Sequence, residues 1–180
     1  MQYIYHKVPE NLQGDILYPL NILKRKYPDM HARAVEKYKD REHVMRQIIP
    51  LFSNCAWNDV VFFMAVNPID LYEARREAGW PDIPPQKFYK INPTTLDQTK
   101  LGVFLFTPKE HSSELTRDDF TDYRQEDLEK YTKVPAETLS YFKSELNNGT
   151  RRIPLFFRYI PHILYYGEID ISSAEIVYAH

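Results

Sequence analysis

The chain has 180 residues, 43% hydrophobic and 27% charged, enough apolar content for a packed core and too much for intrinsic disorder. Lys and Arg number 23 against 25 Asp and Glu, a net charge of -2; this argues against a general nucleic-acid binder, whose phosphate contacts need a basic excess or a dense basic face. A single cysteine, Cys55, excludes an intramolecular disulfide framework and a cysteine-rich zinc site, and only 5 Gly leave no glycine-rich phosphate loop.

In chain order, Tyr3, Tyr5 and Lys7 alternate with Ile4, His6 and Val8 up to Pro9, the period of a first strand. From Glu10 the apolar residues Leu12, Ile16, Leu20 and Leu23 recur at three or four, so the spacing predicts a short helix, a break at Pro19, and a second helix over 22–27. Asp29 is positioned to cap a helix through Ala32, Val35 and Tyr38, and residues 44–52 read as a strand interrupted at Pro50. Residues 59–66 are β-branched and aromatic, the clearest strand of the chain. Asn67-Pro68 then opens a helix over 69–78, stopped by Gly79.

Residues 87–92 and 101–107 read as two strands paired through the turn between them. Residues 108–133 form a polar excursion with one short helix, Pro135 starts a helix through Leu139, Phe142 and Leu146, and strands follow at 155–159, 163–166 and 174–178. The sum is an α+β class, one compact domain over 1–180 with a mixed, mainly antiparallel sheet and flanking helices. The longest apolar stretch, residues 60–66, is far shorter than the ~20 residues that span a bilayer. No signal-peptide pattern is visible, so the expected location is cytoplasmic, or the interior of another cell reached by a signal-peptide-independent route, with no membrane partner.

His6 sits among aromatic residues at the end of the first strand, where a histidine is aimed into a cleft and can hydrogen-bond a ribose or phosphate; a core histidine satisfied by backbone gives the same pattern. The segment Tyr5-His6 followed by Asn11-Leu12 and Ile16-Leu17 resembles the opening of ADP-ribosyltransferase-like domains. In that family the histidine contacts the ribose of NAD, which implies that role for His6, with Tyr5 and Asn11 beside it. The strand 60–66 leading into the helix at Pro68 looks like the family's second motif, in which an aromatic ring stacks on the nicotinamide. Phe63 or Tyr72 is the implied residue here. The family's third element is a glutamate on a late strand. Its place falls near Pro161 or His162 in this chain, while Glu168 lies later, a departure that puts ordinary transferase activity in question.

Glu168 and Asp170, two apart on an expected strand, present their carboxylates on one face and are candidate general acid and base, or stabilisers of an oxocarbenium-like charge. A charged, solvated strand face gives the same alternation. Arg151-Arg152 precede the aromatic run Phe156 to Tyr159, an arrangement that suits a phosphate beside a base. Lys24 to Lys26 and Arg75-Arg76 read as solvated helix faces, Trp57 to Asp59 as a capping segment at a strand entry, and Cys55 as a thiol with no activating neighbour. The six His show no metal-ligand spacing, so no metal is expected.

The sequence-level expectation is therefore a domain binding NAD or a related adenine nucleotide and transferring or hydrolysing ADP-ribose, with a protein as acceptor. The alternative is a non-catalytic interaction module of a bacterial-type effector or toxin system, carried by the 14 Tyr, the 10 Phe and the polar excursion. A toxin nuclease using His6 or His162 is a third reading that lacks the basic face RNA requires.

Overall fold

A computed structural model describes residues 2–107, 115–148 and 155–180. Seven strands form one sheet: β1 (Ile4–Lys7), β3 (Val60–Met64), β4 (Gln86–Ile91), β5 (Leu101–Phe104), β6 (Phe120–Asp122), β7 (His162–Tyr166) and β9 (Glu175–Ala179). Their order is β6-β5-β7-β3-β1-β4-β9, and every described pairing is antiparallel. A second, two-stranded sheet joins β2 (Ile16–Leu17) to β8 (Ile169–Asp170). The described residues also form four α-helices: α1 (Leu20–Lys26), α2 (Pro28–Val35), α3 (Pro68–Glu77) and α4 (Ala136–Asn147). The α+β class expected from the sequence is the class observed.

Strand alternation divides the core between the two faces of the large sheet. Ile4, Val61, Phe63, Ile91, Leu101, Val103, Ile163 and Tyr165 fill one face, where Leu17, Leu128, Ile169 and Ile171 from the small sheet and its neighbouring turns cover them. On the second face, Tyr5, Met64 and Phe88 pack with Leu71 and Tyr72 of α3 and Phe142 of α4. The rest of that face, Val60, Phe104 and Leu164 with Phe62 at the margin, lies under Ile49, Cys55 and Trp57. Both faces are covered, which explains why β3 reads as a continuous apolar run.

The α3 boundaries follow from local chemistry. Asn67 Oδ1 accepts from the Ile69 amide at 3.0 Å, Pro68 stands at the first turn, and Gly79 follows the helix at φ 95. A Cβ added at Gly79 meets Leu146 Cδ2 at 2.9 Å. Gly79→Ala is therefore expected to lower stability by about 1–2 kcal/mol through the left-handed backbone, read as a lower urea midpoint at unchanged slope.

Four sequence-level expectations are corrected. The apolar residues after Glu10 do not form a helix: Ile16 and Leu17 pair with Asp170 and Ile169 as strand. Residues 44–52 form no strand: they begin within the 3₁₀ turn Glu42–Arg46, and Ile48 makes an isolated bridge to Ala56. β4 and β5 do not pair with each other; β4 lies between β1 and β9, and β5 between β6 and β7. Residues 156–159 form a turn, not a strand. In each case a short apolar run carries too little periodicity to choose its partner, and tertiary burial decides. Of the polar excursion, residues 115–133 hold the 3₁₀ turns Arg117–Asp119 and Gln125–Tyr131 and strand β6.

Candidate functional site at the seam between two strands

β1 runs in register with β4 over its whole length, but its ladder with β3 holds one described pair, Tyr5 opposite Met64. The next acceptor along β3, the Phe62 carbonyl, takes His6 Nδ1 at 2.7 Å. A side chain thus stands in for a strand, and β1 and β3 meet at a seam held by His6. A carbonyl only accepts, so Nδ1 carries the hydrogen and Nε2 is left as the acceptor, without a partner among the described residues. The His6 ring rests 5.5 Å from that of Phe63, and burial lowers its pKa from 6.5 to about 4, against the opposing effect of the Phe62 carbonyl.

His162, opening β7 directly opposite Met64, approaches the same residue from the other side: its ring lies 5.9 Å from the Phe62 ring and 5.6 Å from that of Phe106. Burial lowers its pKa as well, to about 4. Its Nδ1 is buried; the carbonyls of Ile160 and Pro161 are near, but neither meets it at hydrogen-bond geometry. As whole residues both histidines are half-buried.

One cation bears on both rings. Lys37, in the 3₁₀ turn Glu36–Tyr38, lowers the pKa of His6 and of His162. Its own pKa is lowered first by desolvation and then by Lys7. The lysine is nevertheless exposed over much of its surface, so water still screens it. The turn is fastened by Tyr38, whose hydroxyl accepts from Trp57 Nε1 at 3.3 Å, and Trp57 packs 4.7 Å from Phe62.

Two further aromatic residues converge here in an uncommon backbone state. Phe106 at φ 51 and Tyr159 at φ 63 are left-handed, and their rings are 5.8 Å apart. For bulky side chains this conformation costs on the order of 1–3 kcal/mol and persists where surrounding structure enforces it, often at ligand clamps. Asp40 and Asn54 share the conformation, but Asp and Asn adopt it readily in turns.

The other expected site residues are distributed as follows. Tyr5 is buried and lines a separate open cleft of about 420 Å³ with Tyr3, Asn67, Asp70 and Lys133. Asn11 lies in an exposed turn. Phe63 is 2% exposed within the core, and Tyr72 is buried against Phe156 at 4.7 Å, its hydroxyl pushed up to about 12 by burial; neither offers a face to a nicotinamide ring. The half-buried aromatic at the seam is Phe62, one residue earlier. Strand alternation puts the two phenylalanines on opposite faces, and Phe62 lies at the margin of the cover on its face. Arg151 and Arg152 lie outside the described residues.

The expected carboxylate pair does not share a strand. Glu168 precedes β8 and pairs with Lys26 at 3.2 Å, while Asp170 accepts from the Ser172 amide at 2.8 Å, and the Ser172 hydroxyl and then that amide lower its pKa. Arg75, read from sequence as solvated, is buried, donates to the Pro81 carbonyl and lies 5.7 Å over Trp80. Asn58 and Asp59 have the structural role: Asn58 and Asn21 exchange hydrogen bonds at 2.7 and 3.0 Å, and Asp59 accepts from the Ala56 amide at 2.9 Å. Burial pushes the Cys55 thiol up to about 12, which disfavours the thiolate a nucleophile needs. No helix among the described residues is long and apolar enough to cross a membrane. No family model, curated protein or solved structure matches this chain.

Proposed function

We propose that the chain binds NAD or a related adenine nucleotide at the β1–β3 seam and transfers or hydrolyses its ADP-ribose, as the ADP-ribosyltransferase-like domains it resembles do. One observation carries this reading. The three sequence segments of the resemblance, separated by some fifty and one hundred residues, are the adjacent strands β1, β3 and β7, where His6 Nδ1 meets the Phe62 carbonyl at 2.7 Å and the His162 ring lies 5.9 Å from the Phe62 ring.

In this reading His6 offers Nε2 to a ribose hydroxyl, its ring fixed by the Phe62 carbonyl, and the Phe62 ring takes the nicotinamide. His162 stands where the resemblance expects a glutamate. A neutral imidazole accepts a proton rather than stabilising positive charge, so its part is that of a base. The bond from ribose C1′ to nicotinamide breaks, nicotinamide leaves with the electron pair, the hydroxyl oxygen of water or a protein acceptor bonds to C1′, and its proton passes to His162.

A thermal-shift titration with NAD, ADP-ribose, ADP and AMP tests the binding step. A ligand at ~100 times its dissociation constant adds about 2.7 kcal/mol, a rise of roughly 5–10 °C for a chain of this size. His6→Ala is expected to abolish the ligand-induced rise, measured from the variant's own baseline. No rise with any of the four in the wild type overturns the reading. It would favour instead a non-catalytic interaction module, for which Ile176 and Tyr178, 45% and 54% exposed on the edge strand β9, are the supporting observation.

A further inference from the structure

β9 closes one end of the seven-stranded order, and one bond decides which of its backbone groups face outward. The Val8 amide donates to the Lys87 carbonyl at 2.9 Å, continuing the β1–β4 register, so Lys87, Tyr89 and Ile91 turn their backbone groups toward β1. Gln86, Phe88 and Lys90 then bond β9 through Ala179, Val177 and Glu175. Ile176 and Tyr178 therefore hold their N–H and C=O groups away from β4, and no described backbone group beyond the sheet meets them. This outward row is bounded at both ends. The Ala174 amide is taken by the Ile171 carbonyl at 2.9 Å, and the His180 carbonyl accepts from Arg76 at 3.0 Å. The same two residues carry exposed apolar side chains, on the face opposite Val177 and Ala179, which pack with Phe88. The other end of the sheet is closed differently: β6 has three residues, and the ion pair of Arg117 with Asp122 at 3.0 Å stands at its end, a short, charged edge that resists further pairing.

We infer that β9 pairs antiparallel with β9 of a second copy of this chain, about a two-fold axis through Val177. Ile176 then lies opposite Tyr178 of the copy, and Tyr178 opposite its Ile176. The four outward backbone groups of each chain find partners, and the exposed side chains cover one another. Shifting the pairing by two residues sets a free residue against Ala174 or His180, whose groups are already engaged, and shifting it by one crosses the faces. The charges fit the same register. Glu175, held by Lys90 at 2.8 Å, comes opposite Ala179, and Lys87, 5.6 Å from the Tyr178 ring, lies one strand behind, so no like charges meet. This self-complementarity selects a second copy over an unrelated strand. A contact made by one short strand falls below the roughly 1,200–2,000 Å² of a standard interface, so the dimer is weak and depends on concentration.

Sedimentation equilibrium of the full chain across the micromolar range tests this, and the mass is expected to rise from one chain toward two. Tyr178→Pro removes an outward amide and no bond to β4, and Ile176→Lys places a charge at the seam; each should weaken dimerisation at least about tenfold. Both positions are exposed, so the urea midpoint of dilute protein should stay near wild type. Ile176→Lys mixed with Tyr178→Glu should form a mixed dimer, since lysine then faces glutamate across the seam. A single chain at every concentration overturns the inference, as does a dimer indifferent to Tyr178→Pro and Ile176→Lys. A mixed dimer of Ile176→Lys with Ile176→Glu, and none with Tyr178→Glu, overturns the register and with it the two-fold through Val177.

Discussion

Acidification from pH 7 to pH 4 is expected to remove on the order of 3 kcal/mol of stability for each of His6 and His162, somewhat less where water reaches the half-buried rings. Both rings take up a proton in the fold only near pH 4, whereas an ordinary histidine does so at 6.5. Between those values the unfolded chain binds more protons than the folded one, so stability rises with pH across that window. It is fully present above 6.5, falls as pH drops toward 4, and changes little further below. Asp97 and Asp170, whose pKa values are lowered by hydrogen bonds from Thr99 and Ser172, act mainly below the ordinary carboxylate value of 3.8 and leave this window largely clear. Urea unfolding at pH 7, 5.5 and 4 measures the slope. His6→Gln and His162→Gln should each flatten it markedly, with a smaller share left to His31, whose pKa burial also lowers, and a wild-type stability flat across this range would mean that the rings are not desolvated as described.

The second large effect separates two neighbouring phenylalanines. Phe63→Ala empties a site that is 2% exposed in the core beneath β3 and should cost about 3–5 kcal/mol. Phe62→Ala removes a ring only partly covered by Trp57 and His162 and should cost about 1–2 kcal/mol. On the proposed nucleotide reading the functional order is the reverse: Phe62→Ala is expected to weaken nucleotide binding by about 1–3 kcal/mol through lost stacking, while Phe63→Ala, where it folds, leaves affinity near wild type. Calorimetric binding and denaturant unfolding of the two variants decide the matter. Loss of affinity in Phe63→Ala with none in Phe62→Ala would place the ring site on the opposite face of the sheet.

Strand β1, strand β3, the capped helix α3 and the helix α4 were legible in the sequence because each is decided locally: by two-residue alternation, by Asn67 and Pro68 at a helix start, by Gly79 at its stop, or by 3.6-residue spacing. The α+β class followed from those elements together. Their pairing did not follow, since β4 and β5 sit next to each other in sequence and on opposite sides of β1 in the sheet. Nor was the use of Ile16-Leu17 as strand legible, because two residues carry no period and only the presence of Ile169-Asp170 opposite them selects it.

The site shows the same division. Composition and spacing pointed to a histidine at the end of the first strand, and the segments of the resemblance pointed to three places in the chain. That those places are adjacent strands sharing Phe62, that Phe63 is closed off in the core, and that Glu168 and Asp170 are engaged by Lys26 and Ser172 are facts of packing. Lys37 carried no sequence signal, since a lysine in a charged segment reads as solvated wherever it stands. Local rules determine which backbone conformations and which polar faces a segment prefers, whereas the company a charge keeps depends on residues distant in sequence, and those are chosen by burial of the whole chain.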